Sequence, residues 1–160
     1  MLFVDIRGFT ARCEGASPAE VLALLNRYLT RVTEAIEAEG GVVDKYIGDA
    51  VMALYGAPLA NPDHAARAVR GALGIHAAVA LLNTEFAAEG LAPLAIGVGI
   101  NTAAVVAGNM GSASRMNYTV IGDGVNIASR VEGLCPFYGA GILVSDAGVR
   151  SKRPQTRSPL

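Results

Sequence analysis

The sequence is poor in cysteine, histidine, lysine and charge, and it has no tryptophan. Cys13 and Cys135 are its only cysteines. They make neither a CxxC nor a disulfide framework, which implies free thiols in a reducing compartment. His64 and His76 are its only histidines, so the Cys/His spacing of a zinc site is missing. Charged residues make up 17% and the formal net charge is −1, which leaves no basic stripe for nucleic acid. No apolar run reaches the roughly 18 residues of a membrane span. The best candidate, residues 72–82, is short and carries His76. The opening MLFVDIRGFT lacks the basic start and apolar run of a signal peptide. Lys45 and Lys152 are the only lysines among many arginines, and only Lys45 lies in patterned sequence.

What is present is apolar residues at 52% in a chain of 160, enough for one domain with a sizeable core and too much for a disordered chain. Residues 2–6 read as a strand and 7–16 as a loop. Ser17, Pro18 and Glu20 form a capping box with proline at the first helical position. Val21, Leu24, Leu25, Tyr28, Leu29, Val32 and Ile36 then recur at helical spacing until Gly40 and Gly41. Residues 42–47 and 50–55 are strand-like around Gly48-Asp49, a hairpin turn of the II′ or I′ kind. A second long helix is expected over 63–89, with strands at 94–101 and 105–108. A polar excursion follows at 109–116, then a strand at 117–121, a third helix from 123 to about 134 and a last strand at 141–145. The order is βαββαβ with a further β-α-β. It predicts an α/β (α+β) fold, a ferredoxin-like sandwich with helices on one sheet face. The domain is expected over 1–148 and a disordered tail over 149–160. A strand beginning at the first residues leads us to expect a preceding segment in a longer protein.

Several residues stand out chemically. Asp5 closes an apolar strand and Asp49 sits in a tight turn. A ferredoxin-like sheet can bring these two places together, and two carboxylates meeting there repel unless a cation lies between them. Oxygen ligands of this kind suit Mg²⁺ or Mn²⁺. The plainer alternative is a turn aspartate and a loop-start aspartate. Gly8, Phe9 and Thr10 form a glycine-containing loop able to aim N–H groups at an anion. There is no Walker A pattern, and the glycines of Gly97-Val98-Gly99 fall inside a strand, which is not a dinucleotide fingerprint. Lys45 lies roughly 13 Å along extended chain from Asp49, so the two serve different parts of a substrate or different sites, or Lys45 is an exposed strand lysine. Asn126 and Arg130 share one face of the third helix. Asn can orient a hydroxyl and Arg can hold a phosphoryl group with two parallel bonds, although two surface polar residues would look the same. His64, His76, Cys13 and Cys135 have no patterned partner and are read as structural.

Taken together, FVDIRGFT, GGVVDKYIGDAVMA, GINTAAVVAGNMGS and RMNYTVIGDGVNIASRVEGL resemble the class III adenylate/guanylate cyclase catalytic domain, in that family's order and over about residues 2–148. The resemblance implies a dimer, homo- or heterodimeric, with sites built across its interface. It implies that Asp5, Asp49 and the Ile6 carbonyl hold two divalent metal ions. Gly8, Phe9 and Thr10 match the loop whose backbone contacts the triphosphate. Asn126 matches the residue that orients the ribose and Arg130 the transition-state arginine, both from the partner subunit. Lys45 and Thr119 fall at the two purine-choosing positions, and a Lys/Thr pair is typical of a bacterial-type subgroup that includes bicarbonate-responsive adenylate cyclases. Lys can donate to adenine N1 and Thr can accept from the exocyclic amine. The implied reaction is ATP to 3′,5′-cyclic AMP and pyrophosphate, in the cytoplasm or on the cytoplasmic side of a larger sensor or membrane protein.

Two departures accompany the resemblance. Ala103 stands where the family often has glycine after the Thr of GINT. The family's last hairpin, with a lysine on the terminal phosphates, has no counterpart in SKRPQTRSPL, so reduced activity or none is expected of this chain alone. The alternative from another class is a cyclase-homology domain that binds nucleotide, or only dimerises, without turnover. A palm-like diguanylate cyclase shares the two-metal logic, but no GGDEF-like segment is present.

Overall fold

The computed structural model describes residues 1–150. Strand β1 (Leu2–Ile6) runs into a short helix α1 (Phe9–Cys13) and then the long helix α2 (Pro18–Ala38). The hairpin of β2 (Val42–Ile47) and β3 (Ala50–Leu54) follows, then helix α3 (His64–Ala88) and strand β4 (Ile96–Ile100). The remaining elements are β5 (Val106–Ser112), β6 (Arg115–Ile121), α4 (Asp123–Gly133), α5 (Cys135–Tyr138), β7 (Ile142–Val144) and α6 (Asp146–Arg150). Helix α6 reaches the start of the tail expected at 149–160, and residues 151–160 lie outside the described residues.

Local sequence accounts for the main boundaries. The Ser17 hydroxyl accepts from the Glu20 N–H while the Glu20 carboxylate accepts from the Ser17 N–H, so both orphan donors at the start of α2 are met. At the β2–β3 turn only the first central residue, Gly48, has positive φ (65°), which selects the II′ kind of turn over I′. That turn fixes Ile47 opposite Ala50 and Tyr46 opposite Val51.

The main sheet has the order β2-β3-β1-β4-β7, with β1 antiparallel to both β3 and β4, and β7 parallel to β4. Alternation along β1 divides the core. Leu2, Val4 and Ile6 join Val51, Ala53, Val98 and Ile100 beneath α2 and α3, which contribute Tyr28, Val32, Ile36, Ile75, Leu82 and Phe86. Phe3 faces the other way, into a second cluster with Met52, Leu54, Val120 and Ala128 of α4. The expectation of helices on one sheet face therefore holds for α2 and α3 and is corrected for α4. Gly97 and Gly99 show why the opposite face accepts a helix. A Cβ on Gly99 would collide with the Glu132 and Ala128 backbone, and one on Gly97 with the Arg7 guanidinium. Helix α3 is long and apolar enough to cross a membrane by composition, yet Ala68, Ile75, Leu82 and Phe86 on it are core residues against the sheet.

Two further expectations are corrected. The supposed loop 7–16 contains α1. The polar excursion 109–116 is the body of a two-stranded hairpin, β5–β6, with Ser112 opposite Arg115 and Gly108 opposite Thr119. Its strands are mostly solvent-facing, with Val106, Met116 and Ile121 exposed, so apolar alternation gave little sign of it.

Candidate active site

Two elements, β1 and the β2–β3 turn, converge at the C-terminal end of β1. Strand β1 brings Asp5, the β2–β3 turn brings Asp49, and the main chain brings the Ile6 N–H. That one N–H donates to Asp5 Oδ1 at 2.9 Å and to Asp49 Oδ2 at 3.2 Å. Both carboxylates are half-buried. Burial, a shared hydrogen bond with Asp49 and the charges of Asp49 and Glu132 push the Asp5 carboxyl up to about 7 from its ordinary 3.8. Two hard oxygen donors whose repulsion is relieved by a proton or a cation fit a divalent ion of the Mg²⁺ or Mn²⁺ type. Among the described residues no group of three or more His, Cys, Asp or Glu side chains gathers to hold a metal, and Asp5 and Asp49 are a pair.

Behind the pair, Arg7 meets Glu132 of α4 at 3.2 Å, with side chains 25% and 12% exposed. Burial raises the Glu132 carboxyl, the Arg7 guanidinium opposes this, and Asp49 adds to it. The ion pair ties the strand end carrying Asp5 to the helix on the reverse face. Sequence reasoning missed it because its two members are far apart in the chain.

Gly8, Phe9 and Thr10 form the turn into α1. Gly8 adopts the left-handed conformation at φ 63°, which a glycine takes without cost, and its carbonyl accepts from the Arg12 N–H at 3.0 Å. The first N–H groups of the turn have no acceptor within the helix.

Midway along β2, opposite Met52, stands Lys45, directed toward β6. Lys45 Nζ donates to Thr119 Oγ1 at 3.2 Å. A third residue, Asp44, completes the group. Its Oδ2 accepts from the Thr119 hydroxyl at 3.0 Å and lies 3.2 Å from Lys45 Nζ. The Asp44 side chain is 0% exposed while Lys45 is 47% exposed. The structure thus brings together Lys45 and Thr119, which are 74 residues apart, and adds an aspartate that sequence reasoning passed over.

Asn126 and Arg130 stand one turn apart on α4, both exposed, while Gly124 and Ala128 turn inward. The start of α4 is held by Asn101, 2% exposed, whose amide donates to the Gly124 carbonyl at 2.8 Å and whose oxygen accepts from Ser145. Among the described residues, no hydrogen bond or ion pair joins Asn126 or Arg130 to Asp5, Asp49, Lys45 or Thr119. A cleft of about 560 Å³ lies between α1, α2 and Leu91, lined by Phe9, Cys13, Leu24 and Arg27; of the candidate site residues it includes Phe9 and none of Asp5, Asp49, Lys45, Thr119, Asn126 and Arg130.

Comparison with known proteins identifies the family and the fold. The family model described as "Adenylate and Guanylate cyclase catalytic domain" matches residues 1–151. An adenylate cyclase of Anabaena cylindrica is 43% identical over 155 residues, covering 94% of this chain and 30% of the relative. Adenylate cyclase 1 of Rhizobium meliloti (strain 1021) is 39% identical, covering 92% of this chain and 22% of the relative. The chain therefore spans under a third of the length of these two curated relatives. Among solved structures, the guanylyl cyclase Cya2 superposes with a TM-score of 0.88 at 37% identity, covering 98% of this chain and 78% of that one. The adenylyl cyclase CyaB from P. aeruginosa gives 0.86 at 36% identity, covering 94% and 77%.

Proposed function

This chain belongs to the adenylate and guanylate cyclase catalytic domain family, and on that premise we propose that it converts ATP to 3′,5′-cyclic AMP and pyrophosphate. Fold similarity does not choose the purine, since the similar structures include a guanylyl and an adenylyl cyclase. The observation that carries the choice is the Lys45–Thr119 contact at 3.2 Å. Lys45 offers a donor, which suits adenine N1, an acceptor, and opposes guanine N1, which bears a hydrogen. Thr119 offers an oxygen to the adenine amine.

The reaction forms a bond between the ribose 3′-oxygen and the α-phosphorus, breaks the bond to the β-phosphate oxygen and releases the 3′-hydroxyl proton. Asp5, Asp49 and the Ile6 carbonyl would hold two divalent ions, which when bound acidify the 3′-hydroxyl and neutralise the triphosphate. The Gly8, Phe9 and Thr10 amides donate to the terminal phosphates. Asn126 orients the ribose, and Arg130 bonds the α-phosphate oxygens as charge builds on them. Positioning and charge neutralisation carry such a reaction, and no nucleophilic side chain is required.

Asn126 and Arg130 serve this site from a second copy of the chain or from another cyclase domain. The dimer reading is supported by their exposure and lack of partners at the carboxylate end, and by exposed apolar residues on the β5–β6 hairpin, with Val106 70% and Ile121 61% exposed. We assign residues 1–148 to this catalytic domain and place it in the cytoplasm, where its substrate is. The test is a turnover assay with ATP and Mn²⁺, scored for cyclic AMP beside a GTP lane and an Asp49→Ala control. Cyclic AMP from wild type alone is the expected result. Cyclic GTP as the main product, or no product with nucleotide binding retained, would overturn the reading.

A further inference from the structure

We propose that Asp44 is a positioning residue for base recognition: it takes the Thr119 proton, makes that hydroxyl a pure acceptor toward the base, and so favours adenine over guanine. The inference rests on the reading of Lys45 and Thr119 as purine contacts given above.

The placement of Asp44 is unusual for a fold-building residue. In β2, Val43 pairs with Ala53 and Lys45 with the next residue back, Met52, so Asp44 is the extra residue of a β-bulge. A bulge re-aims the side chain it carries. Here it buries a carboxylate completely, and Asp44 Oδ1 has no hydrogen-bond partner. A buried carboxylate with an unmet oxygen lowers stability, and an apolar residue there would serve the fold better. The arrangement calls for a purpose other than packing.

The chemistry of the three groups leaves one hydrogen-bond pattern. An ammonium only donates and an ionised carboxylate only accepts. Thr119 Oγ1, set between Lys45 Nζ at 3.2 Å and Asp44 Oδ2 at 3.0 Å, must accept from the first and donate to the second. A threonine hydroxyl free to turn would serve either purine, donating to the guanine six-oxygen or accepting from the adenine six-amine. With its proton committed to Asp44, Thr119 has only lone pairs to offer. The adenine amine meets an acceptor, while the guanine oxygen meets another oxygen lone pair. Lys45, half-exposed, turns from Thr119 to the ring nitrogen when a base arrives, and the Asp44–Thr119 bond stays.

The test is equilibrium binding in Mn²⁺ of three triphosphates, by competition against a fluorescent ATP analogue. ATP carries the six-amine, inosine triphosphate carries the six-oxygen, and purine riboside triphosphate carries neither. Wild type is expected to prefer ATP over inosine triphosphate. Asp44→Val removes the acceptor, and the ATP preference is expected to fall about tenfold, the worth of one well-made hydrogen bond. Purine riboside triphosphate keeps the N1 acceptor alone and so reports any change through Lys45, which Asp44 meets at 3.2 Å; the ATP and inosine triphosphate shifts are read relative to it, and a merely structural role for Asp44 would move all three alike. Adding Thr119→Val to Asp44→Val should lower the preference little further, because the two act as one unit. Equal weakening of all three ligands, or an unchanged preference, overturns the proposal while leaving the adenylate reading intact. A wild type that prefers inosine triphosphate, or binds none of the three, overturns both. Should Asp44→Val fail to fold, Thr119→Val alone decides. A committed acceptor repels the six-oxygen, so its removal tightens inosine triphosphate and weakens ATP. If instead both weaken, the hydroxyl was free to turn and the proposal fails.

Discussion

Asp5 and Asp49 lean on the same main-chain donor, the Ile6 N–H, at 2.9 and 3.2 Å. Their mutual repulsion, added to burial, holds the Asp5 carboxyl near 7 against an ordinary 3.8. The folded state therefore binds a proton that the unfolded state has released between these two values. The Asp5 contribution to stability is full below about pH 4 and is lost as pH rises through about 7. Thermal melts of metal-free protein should show Asp49→Asn stabilising the chain more at pH 8 than at pH 4. Mn²⁺ should raise the melting temperature more at pH 8 than at pH 5, where protons compete for the carboxylates. Equal Mn²⁺ effects at the two pH values would count against a cation seated on this pair.

Arg130→Ala should leave the fold intact, because the side chain is exposed. It should lower kcat about 10²- to 10³-fold, the usual cost of removing a donor aimed at developing charge. A loss confined to KM would assign Arg130 to ground-state binding instead.

Asp5→Ala and Arg130→Ala proteins, each strongly impaired alone, should regain activity when mixed. One of the two sites in a mixed dimer then receives an intact carboxylate pair from one subunit and an intact arginine from the other. Activity that never returns in verified mixed dimers would exclude a shared site.

Lys45→Glu replaces a donor with an acceptor beside the Thr119 hydroxyl. The ratio of kcat/KM for ATP to that for GTP should fall, with guanine N1–H gaining a partner. A ratio that does not move would remove Lys45 from base choice.

Gly99→Val should destabilise the fold by about 1–3 kcal/mol in chemical denaturation, an ordinary cost of overpacking. The added atoms meet the backbone of α4 at Glu132 and Ala128, which cannot swing aside as a side-chain tip can. Because α4 carries Asn126 and Arg130, turnover should fall further than stability alone explains.

Much of this layout is legible in the chain. The capping box at Ser17 and Glu20 marks the start of α2, and Gly48-Asp49 marks the hairpin, since both are local devices with strong residue preferences. The closeness of Asp5 and Asp49 follows from the strand order. The rest depends on relations that short-range pattern does not carry. The β5–β6 hairpin keeps few buried residues, so its sequence reads as a polar loop. Helix α1 is five residues long, too short for a period to show. Gly97 and Gly99 read as an unremarkable strand until α4 is seen lying against them. Asp44 looks like any strand-interior charge, because a bulge is defined by the partner strand and not by its own residues. Asn101 is likewise explained only by Gly124 and Ser145, which lie far along the chain.

The β5–β6 ribbon lies outside the five-stranded sheet and rests on it through Val120. Lys45 and Asp44 ride on the sheet, whereas Thr119 rides on the ribbon. On the proposed reading the base would therefore sit in a gap between sheet and ribbon, whose width depends on how the ribbon is seated. The paired carboxylates are carried wholly by the sheet and its turn. If Lys45 and Thr119 do hold the base, a shift of the ribbon would alter base recognition without moving Asp5 and Asp49, so affinity for the base and capacity for chemistry would be separable.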